Sequence, residues 1–156
     1  MSPVAAQRYR SSGYLAFQSA VYGVFVLVTI GALVDPQPGS DDPVWGWLLL
    51  AAELAFWVRG AFVRVVVAGS NITVHNWLRT HRLSTAEVVG VVVVPYDGMW
   101  SRGPTRSFRY VALTTASGRR VTAQALVHRP KRAQRAAQVL AARLDVPVLP
   151  DEEGYW

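Results

Sequence analysis

The chain is predicted to be an α+β protein: a transmembrane α-hairpin followed by a small antiparallel split barrel that a C-terminal helix caps. Three observations carry this expectation. Two stretches before residue 64 are apolar for about the length that crosses a hydrocarbon core, roughly 20 residues as a helix. Beyond them the apolar residues recur with a period of two, broken by Gly-containing turns. A segment opened by Pro130 then carries alanines and leucines at helical spacing.

The first stretch, Tyr14–Val34, has 21 residues and no charge. It exceeds the apolar core of a secretory signal, and a second span follows it, so it is read as an uncleaved helix. Residues 35–43 (DPQPGSDDP) are a loop, because Pro36, Pro38 and Gly39 stop helix propagation. Asp42 is placed to cap the second helix, with Pro43 at its first position, where the missing N–H costs nothing. The second span is Val44–Val63 (VWGWLLLAAELAFWVRGAFV).

Orientation follows from the basic flanks. No Lys or Arg occurs between Ser11 and Val58. Arg8 and Arg10 precede the first span, and Arg59 and Arg64 lie at the end of the second, which places both termini in the cytoplasm of a plasma (inner) membrane protein with two passes. Trp45 and Trp47 are expected at the outer interface, and Tyr14 and Trp57 at the inner one. Ala16, Ala20 and Gly23 on the first helix and Ala51, Ala52 and Ala55 on the second are the residues expected to allow close packing. Glu53 lies about 13 Å into the second span at 1.5 Å per residue. A carboxyl group at that depth needs a partner, and Ser19, Tyr22 and Thr29 are the candidates. Glu53 is read as glue between helices; the alternative is a small transport or transporter-accessory subunit that uses it.

The remainder reads as strands. Val63, Val65 and Val67 alternate with Phe62, Arg64 and Val66, and Ile72, Val74 and Asn76 alternate with Thr73, His75 and Trp77, around a Gly69-Ser70-Asn71 turn. A short strand is expected at His81–Leu83. Ser84-Thr85-Ala86-Glu87 has the form of a capping box but precedes a valine run, so a turn is expected, followed by a strand from Val88 to Pro95. Tyr96–Ser107 reads as a long Gly-, Pro- and Arg-containing loop, Phe108–Thr115 and Arg119–Ala125 as a hairpin, and Pro130–Leu144 as a helix that packs through Ala133, Ala136, Ala137, Leu140, Ala141 and Leu144. The expected division is residues 1–63 for the N-terminal tail and spans, 64–146 for the domain, and 147–156 for an irregular tail.

Gly69, Thr73-Val74-His75-Asn76, Arg79-Thr80-His81-Arg82 and Ser84-Thr85-Ala86-Glu87-Val88 carry a resemblance. The segment resembles the signature of bacterial pleckstrin-homology-like (PH-like) domains of the actinobacterial low-molecular-weight antigen type. Those show a glycine, a T-V-x-N strand, an R-T-x-R turn and strand, and a P-W-x-E-I step. The P-W pair is absent here. The resemblance spans roughly residues 62–144 and implies a PH-like barrel behind a two-span anchor; it implies no ligand, because one fold hosts many functions.

The chain has no cysteine, which excludes disulfides and thiolate chemistry. His75, His81 and His128 lack the spacing and the accompanying carboxylates of a metal site. Neither a nucleophile elbow, a phosphate-cradling glycine motif nor a carboxylate pair is visible. The expectation is therefore a non-enzymatic protein without a cofactor or metal. The formal net charge is +6, the pI is about 10.3, and from Arg64 onward thirteen basic residues face six acidic ones. Arg79, Arg82, Trp100, Arg102, Arg106, Arg109, Arg119, Lys131 and Arg132 are the candidate binding residues. Arginine suits phosphate and carboxylate, and tryptophan suits an interface. The expected partner is an anionic lipid, a protein or a second copy of the chain, and not nucleic acid, for which interleaved aromatics are lacking. The same residues also suit a plain solvated basic face beside an anionic leaflet. The Gly69-Ser70-Asn71 turn is uncharged, which speaks against the inositol-phosphate site of eukaryotic PH domains.

Overall fold

The computed structural model describes residues 6–35, 43–97 and 105–150. They fall into two compact units: Ser12–Phe62, and the described residues before Ser12 together with those from Val63 on.

The first unit is a helical hairpin. Helix α1 runs Ser12–Val34 and α2 runs Pro43–Ala61. Both are long and apolar enough to cross a membrane, and only 17% and 11% of their apolar windows are buried. A helix in the core of a soluble protein is mostly buried. Large apolar side chains point outward instead, among them Phe17, Leu27, Val28, Trp45 and Trp47. The seam between the helices is narrow. On α1 it consists of Gln18, Val26 and Thr29, which are buried, with Tyr22 and Leu33 half-buried; on α2 it consists of buried Gly60 and half-buried Gly46, Leu50 and Glu53. These positions recur at spacings of three, four and seven, the repeat that keeps one helical stripe against its neighbour.

The expected small-residue seam is therefore corrected. Ala16, Ala20, Ala51, Ala52 and Ala55 are exposed, and Gly23 has open space where a side chain would be. The helices approach where Gly46 meets Leu33 and where Gly60 meets Gln18, and a Cβ at either glycine would collide with the facing side chain. The second span also ends earlier than expected: α2 stops at Ala61, and Val63 is fully buried in the core of the other unit.

The second unit has two four-stranded sheets and one helix. The first sheet has the order β1-β2-β3-β4 and is antiparallel throughout, with β1 Gln7–Tyr9, β2 Arg64–Ala68, β3 Asn71–His75 and β4 Thr80–Ser84. The second has the order β7-β6-β5-β8, with β5 Val88–Tyr96, β6 Thr105–Thr115, β7 Arg120–His128 and β8 Val148–Leu149. The expected split barrel is thus two separate sheets, with no closed barrel among the described residues. Gly69 and Gly118 have φ of 56° and 78° in the β2–β3 and β6–β7 turns, a conformation that side chains disfavour.

Alternation sets the core. Val65, Val67, Ile72, Val74 and Leu83 are buried on one face of the first sheet. In the second, Val91–Val93 and Tyr110–Leu113 are buried consecutively, so both faces of that sheet are covered. Helix α3 (Pro130–Leu144) packs against β5, β6 and β7 through Ala133, Ala137, Leu140, Ala141 and Leu144, as its periodicity predicts, while Ala136, also expected there, is only half-buried. Pro130 opens the helix, and Asp145 closes it in the left-handed conformation, φ 55°.

Buried Asn76 ties the sheets together. Its Nδ2 donates to the Thr122 carbonyl at 2.7 Å and its Oδ1 accepts from the Gln124 N–H at 3.0 Å, so the side-chain amide takes the place of a neighbouring strand's peptide. The Trp77 N–H donates to Gln124 Oε1 at 2.9 Å beside it. β3 ends at His75, where this bonding begins, two residues short of the expected run to Trp77.

Three further expectations change, and one, the turn at Ser84–Glu87, holds. The N-terminal flank is not a simple tail: Gln7–Tyr9 pairs with β2, and the Ser11 N–H donates to the Ala125 carbonyl at 2.8 Å. The C-terminal tail is not wholly irregular: Val148 and Leu149 pair in parallel with Val91 and Val92, and the Leu149 side chain fills the space above Gly90. Strand β6 begins at Thr105, within the expected loop. Ser84 and Glu87 do form a reciprocal capping box, but it closes a single 3-10 turn, because Val88 continues as strand.

Candidate functional site

The candidate binding residues separate into groups. Arg79 follows the Asn76 tie and is exposed, His81 lies on β4 on the same face as Val74, and Arg119 lies in the β6–β7 turn. These three come together. Arg119 donates from Nη2 to His81 Nδ1 at 3.2 Å. Burial, Arg119 and Arg79 together hold the His81 ring below its ordinary pKa. A neutral ring between two guanidiniums is an acceptor that accommodates one of them. An anion placed beside the two guanidiniums favours protonation of the same ring, which then becomes a third donor.

Arg82 is exposed on β4, one residue from His81 and hence on the opposite face of the sheet. Lys131 and Arg132 are exposed in the first turn of α3. Arg132 is near His128, whose pKa is lowered by burial and by that charge. His128 Nδ1 also lies 3.3 Å from Ser11 Oγ. Pro130, Lys131, Gln134, Arg135 and Gln138 line a shallow depression on this helix.

Arg109 departs from the expectation of a surface residue. It is buried, opposite His128 on β7 and Pro95 on β5, and its Nη1 donates to the Phe108 carbonyl at 3.3 Å. The extended β6 draws it into the sheet and away from solvent. Trp100 and Arg102 lie outside the described residues, and Arg106 falls within β6. Tyr96, Phe108 and Tyr110 cluster at that end of β5 and β6, with ring centroids 4.9 Å apart for Tyr96–Tyr110 and 6.5 Å for Tyr96–Phe108. The tyrosine hydroxyl of Tyr96 titrates above its ordinary value through burial and the nearby Asp97.

His81 was not among the sequence candidates. The only signal for it was its position between Arg79 and Arg82; its contact with Arg119, 38 residues away, depends on the tertiary fold. In the helical unit, Thr29 Oγ1 donates to Glu53 Oε1 at 3.1 Å, so one of the three expected partners is in place. Glu53 Oε2 is buried with no hydrogen bond. Among the described residues no three His, Asp or Glu side chains gather as metal ligands would. No protein-family model, no curated protein and no solved structure matches the chain.

Proposed function

We propose that the protein is a non-enzymatic, membrane-anchored binding module. Its PH-like domain stands at the cytoplasmic face of the plasma membrane and engages anionic lipid or an acidic protein partner through basic side chains. The observation that carries this reading is the hairpin of two long helices whose apolar side chains face outward. The pairing of β1 with β2 supports it. These strands precede and follow the two helices, and paired strands lie on one side of any bilayer, so the helices must cross it an even number of times. The basic flanks Arg8, Arg10, Arg59 and Arg64 favour the cytoplasmic side. The Arg79–His81–Arg119 group supports an anionic ligand. The order of strands and the closing helix, read with the motif between Gly69 and Val88, supports the PH-like assignment.

The test has two parts. The full chain is expected to stay with vesicles in alkaline carbonate, and a tag at Trp156 is expected to resist external protease in intact cells. The intact, detergent-solubilised protein is expected to recover lipids or partners that an Arg79→Ala/Arg119→Ala variant does not. Release by carbonate, or identical recovery by both proteins, refutes the corresponding part.

A second reading rests on the orphaned Glu53 Oε2. A carboxyl oxygen within a membrane hairpin marks a proton or ion path in transport proteins. Flux in reconstituted vesicles that falls in Glu53→Gln favours that reading; unchanged flux removes it.

A further inference from the structure

The register of the first sheet assembles a second basic surface, away from the His81 group. Arg8, Val66, Thr73 and Arg82 are opposite one another across β1, β2, β3 and β4. Neighbours in such a row share a face. Because Val65, Val67, Ile72, Val74 and Leu83 are buried on the other face, this row lies on the outer one. The adjoining row of that face contains Arg64, His75 and Thr80. β1 ends at Tyr9, opposite Val65, and Arg10 follows it directly in the chain. Arg8, Arg64 and Arg82 thus occupy two neighbouring rows of this face, with Arg10 next after the end of β1. The residues of β2, β3 and β4 on this face are Arg64, Val66, Ala68, Asn71, Thr73, His75, Thr80, Arg82 and Ser84, with no carboxylate among them.

Like charges at this spacing repel, at a cost that a bound anion offsets. Arg64 is half-buried, and its Nε is buried without a hydrogen bond. Chain connectivity restricts what the face meets. Arg10 is two residues before the start of α1, and Arg64 three residues after the end of α2. At about 3.3 Å per extended residue, both are tethered within about 10 Å of a helix end. A basic face without carboxylates on so short a tether suits the phosphates of an anionic leaflet.

We infer that the outer face of the first sheet, through Arg8, Arg10, Arg64 and Arg82, binds the phosphodiester headgroups of anionic phospholipid. This inference rests on the membrane-anchored reading above and gives it a ligand class and a location. Arg64 starts β2, Arg10 follows the end of β1, and Arg8 and Arg82 flank the next row. Thr73 supplies a hydroxyl between the last two.

The experiment uses the delipidated full chain in mild detergent, with phosphatidylglycerol or phosphatidylcholine added and bound lipid counted by native mass spectrometry. Arg10→Gln/Arg64→Gln and Arg8→Gln/Arg82→Gln are each expected to weaken phosphatidylglycerol binding roughly thirtyfold, from the typical effect of a basic residue near an anionic surface. Arg135→Gln/Arg143→Gln on α3 removes the same charge and is expected to change it less than about threefold. Phosphatidylcholine binding is expected to be weak and the same in all. The Arg8/Arg82 pair lies at exposed edge positions, so it tests the face even if the inner pair disturbs folding.

An equal loss in the α3 variant reduces the effect to net charge and overturns the inference. So does displacement of the lipid by a large excess of inorganic phosphate, which identifies a soluble anion as the ligand. If only Arg79→Gln/Arg119→Gln loses binding, the sheet face is refuted while the membrane-anchored reading stands.

Discussion

The two units of this protein invert one another. In the domain, valines and leucines of the paired strands point inward, with Val65, Ile72, Val74, Val91, Val111 and Leu113 fully buried. In the hairpin, Gln18, Thr29, Glu53 and two glycines share the inward positions with Tyr22, Val26, Leu33 and Leu50, while Phe17, Leu27 and Trp45 point outward. Each arrangement would be costly in the other's surroundings. Apolar burial stabilises the domain by roughly 25 cal/mol per Å² removed from water. A lipid-facing helix gains nothing by exchanging lipid for a neighbour's leucine, so close approach and hydrogen bonds decide the seam.

The largest effects should separate the two units by mutation. Leu113→Ala empties a sealed core position and is expected to cost the domain about 3–5 kcal/mol, measured by urea unfolding of the full chain in detergent with amide exchange read on β6. Leu27→Ala removes the same atoms from an exposed helix face and is expected to leave hairpin stability within about 0.5 kcal/mol. Comparable losses at the two sites would dissolve the distinction.

Next in size is the tie between the sheets. Asn76→Ala leaves the Thr122 carbonyl and the Gln124 N–H without their partner and is expected to cost about 2–3 kcal/mol, whereas Asn76→Asp keeps the acceptor and loses the donor. Faster amide exchange at Gln124 is the direct readout. Within the hairpin, Thr29→Val removes the bond to Glu53 and is expected to weaken helix association by only about 0.6–1.5 kcal/mol, measured by reversible dimerisation-free unfolding in mixed micelles. A hydrogen bond worth several times that would mean the seam is organised around Glu53 and not around Gly46 and Gly60.

Smaller effects sharpen the domain's side of the comparison. Asp145→Gly relieves a left-handed residue at the end of α3 and is expected to add about 0.5–1 kcal/mol. The histidines set a pH dependence. His81 and His128 both have pKa values lowered on folding. The unfolded chain therefore binds protons first, so their contribution is full above about pH 6.5 and declines as the pH falls below it. A melting temperature that drops on acidification, with a shallower slope in His128→Gln, is the expected result; phosphate should lessen the His81 share.

Much of this was legible in the sequence. Length and freedom from charge marked the helices, and alternation around Gly69 and Gly118 marked two strand pairs. The alanine stripe of α3 marked its packing face. What escaped depends on partners distant in sequence. The three residues of β1 carry an arginine and look like a membrane flank until Val65–Val67 lies beside them. Val148 and Leu149 lie between two prolines, and their pairing with β5, where Leu149 takes the space at Gly90, depends on a partner far away in sequence. The hairpin seam is hidden because helices apolar on all sides have no polar face to define an inside. Of the binding candidates, Arg79 and Arg119 were read correctly as exposed, but their meeting at His81 was not visible. Arg109 was read on a strand, but its burial depends on the neighbouring strands β5 and β7, which its own sequence does not show.

The pairing of Tyr9 with Val65 has a consequence for engineering. Topologically, the whole helical unit is an insertion at the tip of one β-ribbon. Joining Arg10 to Arg64 through a tight Asn-Gly connection would excise the insertion and leave an uninterrupted, water-compatible fold with every strand retained. Cutting the chain simply after the second helix would instead discard an edge strand and bare the flank of Val65–Val67.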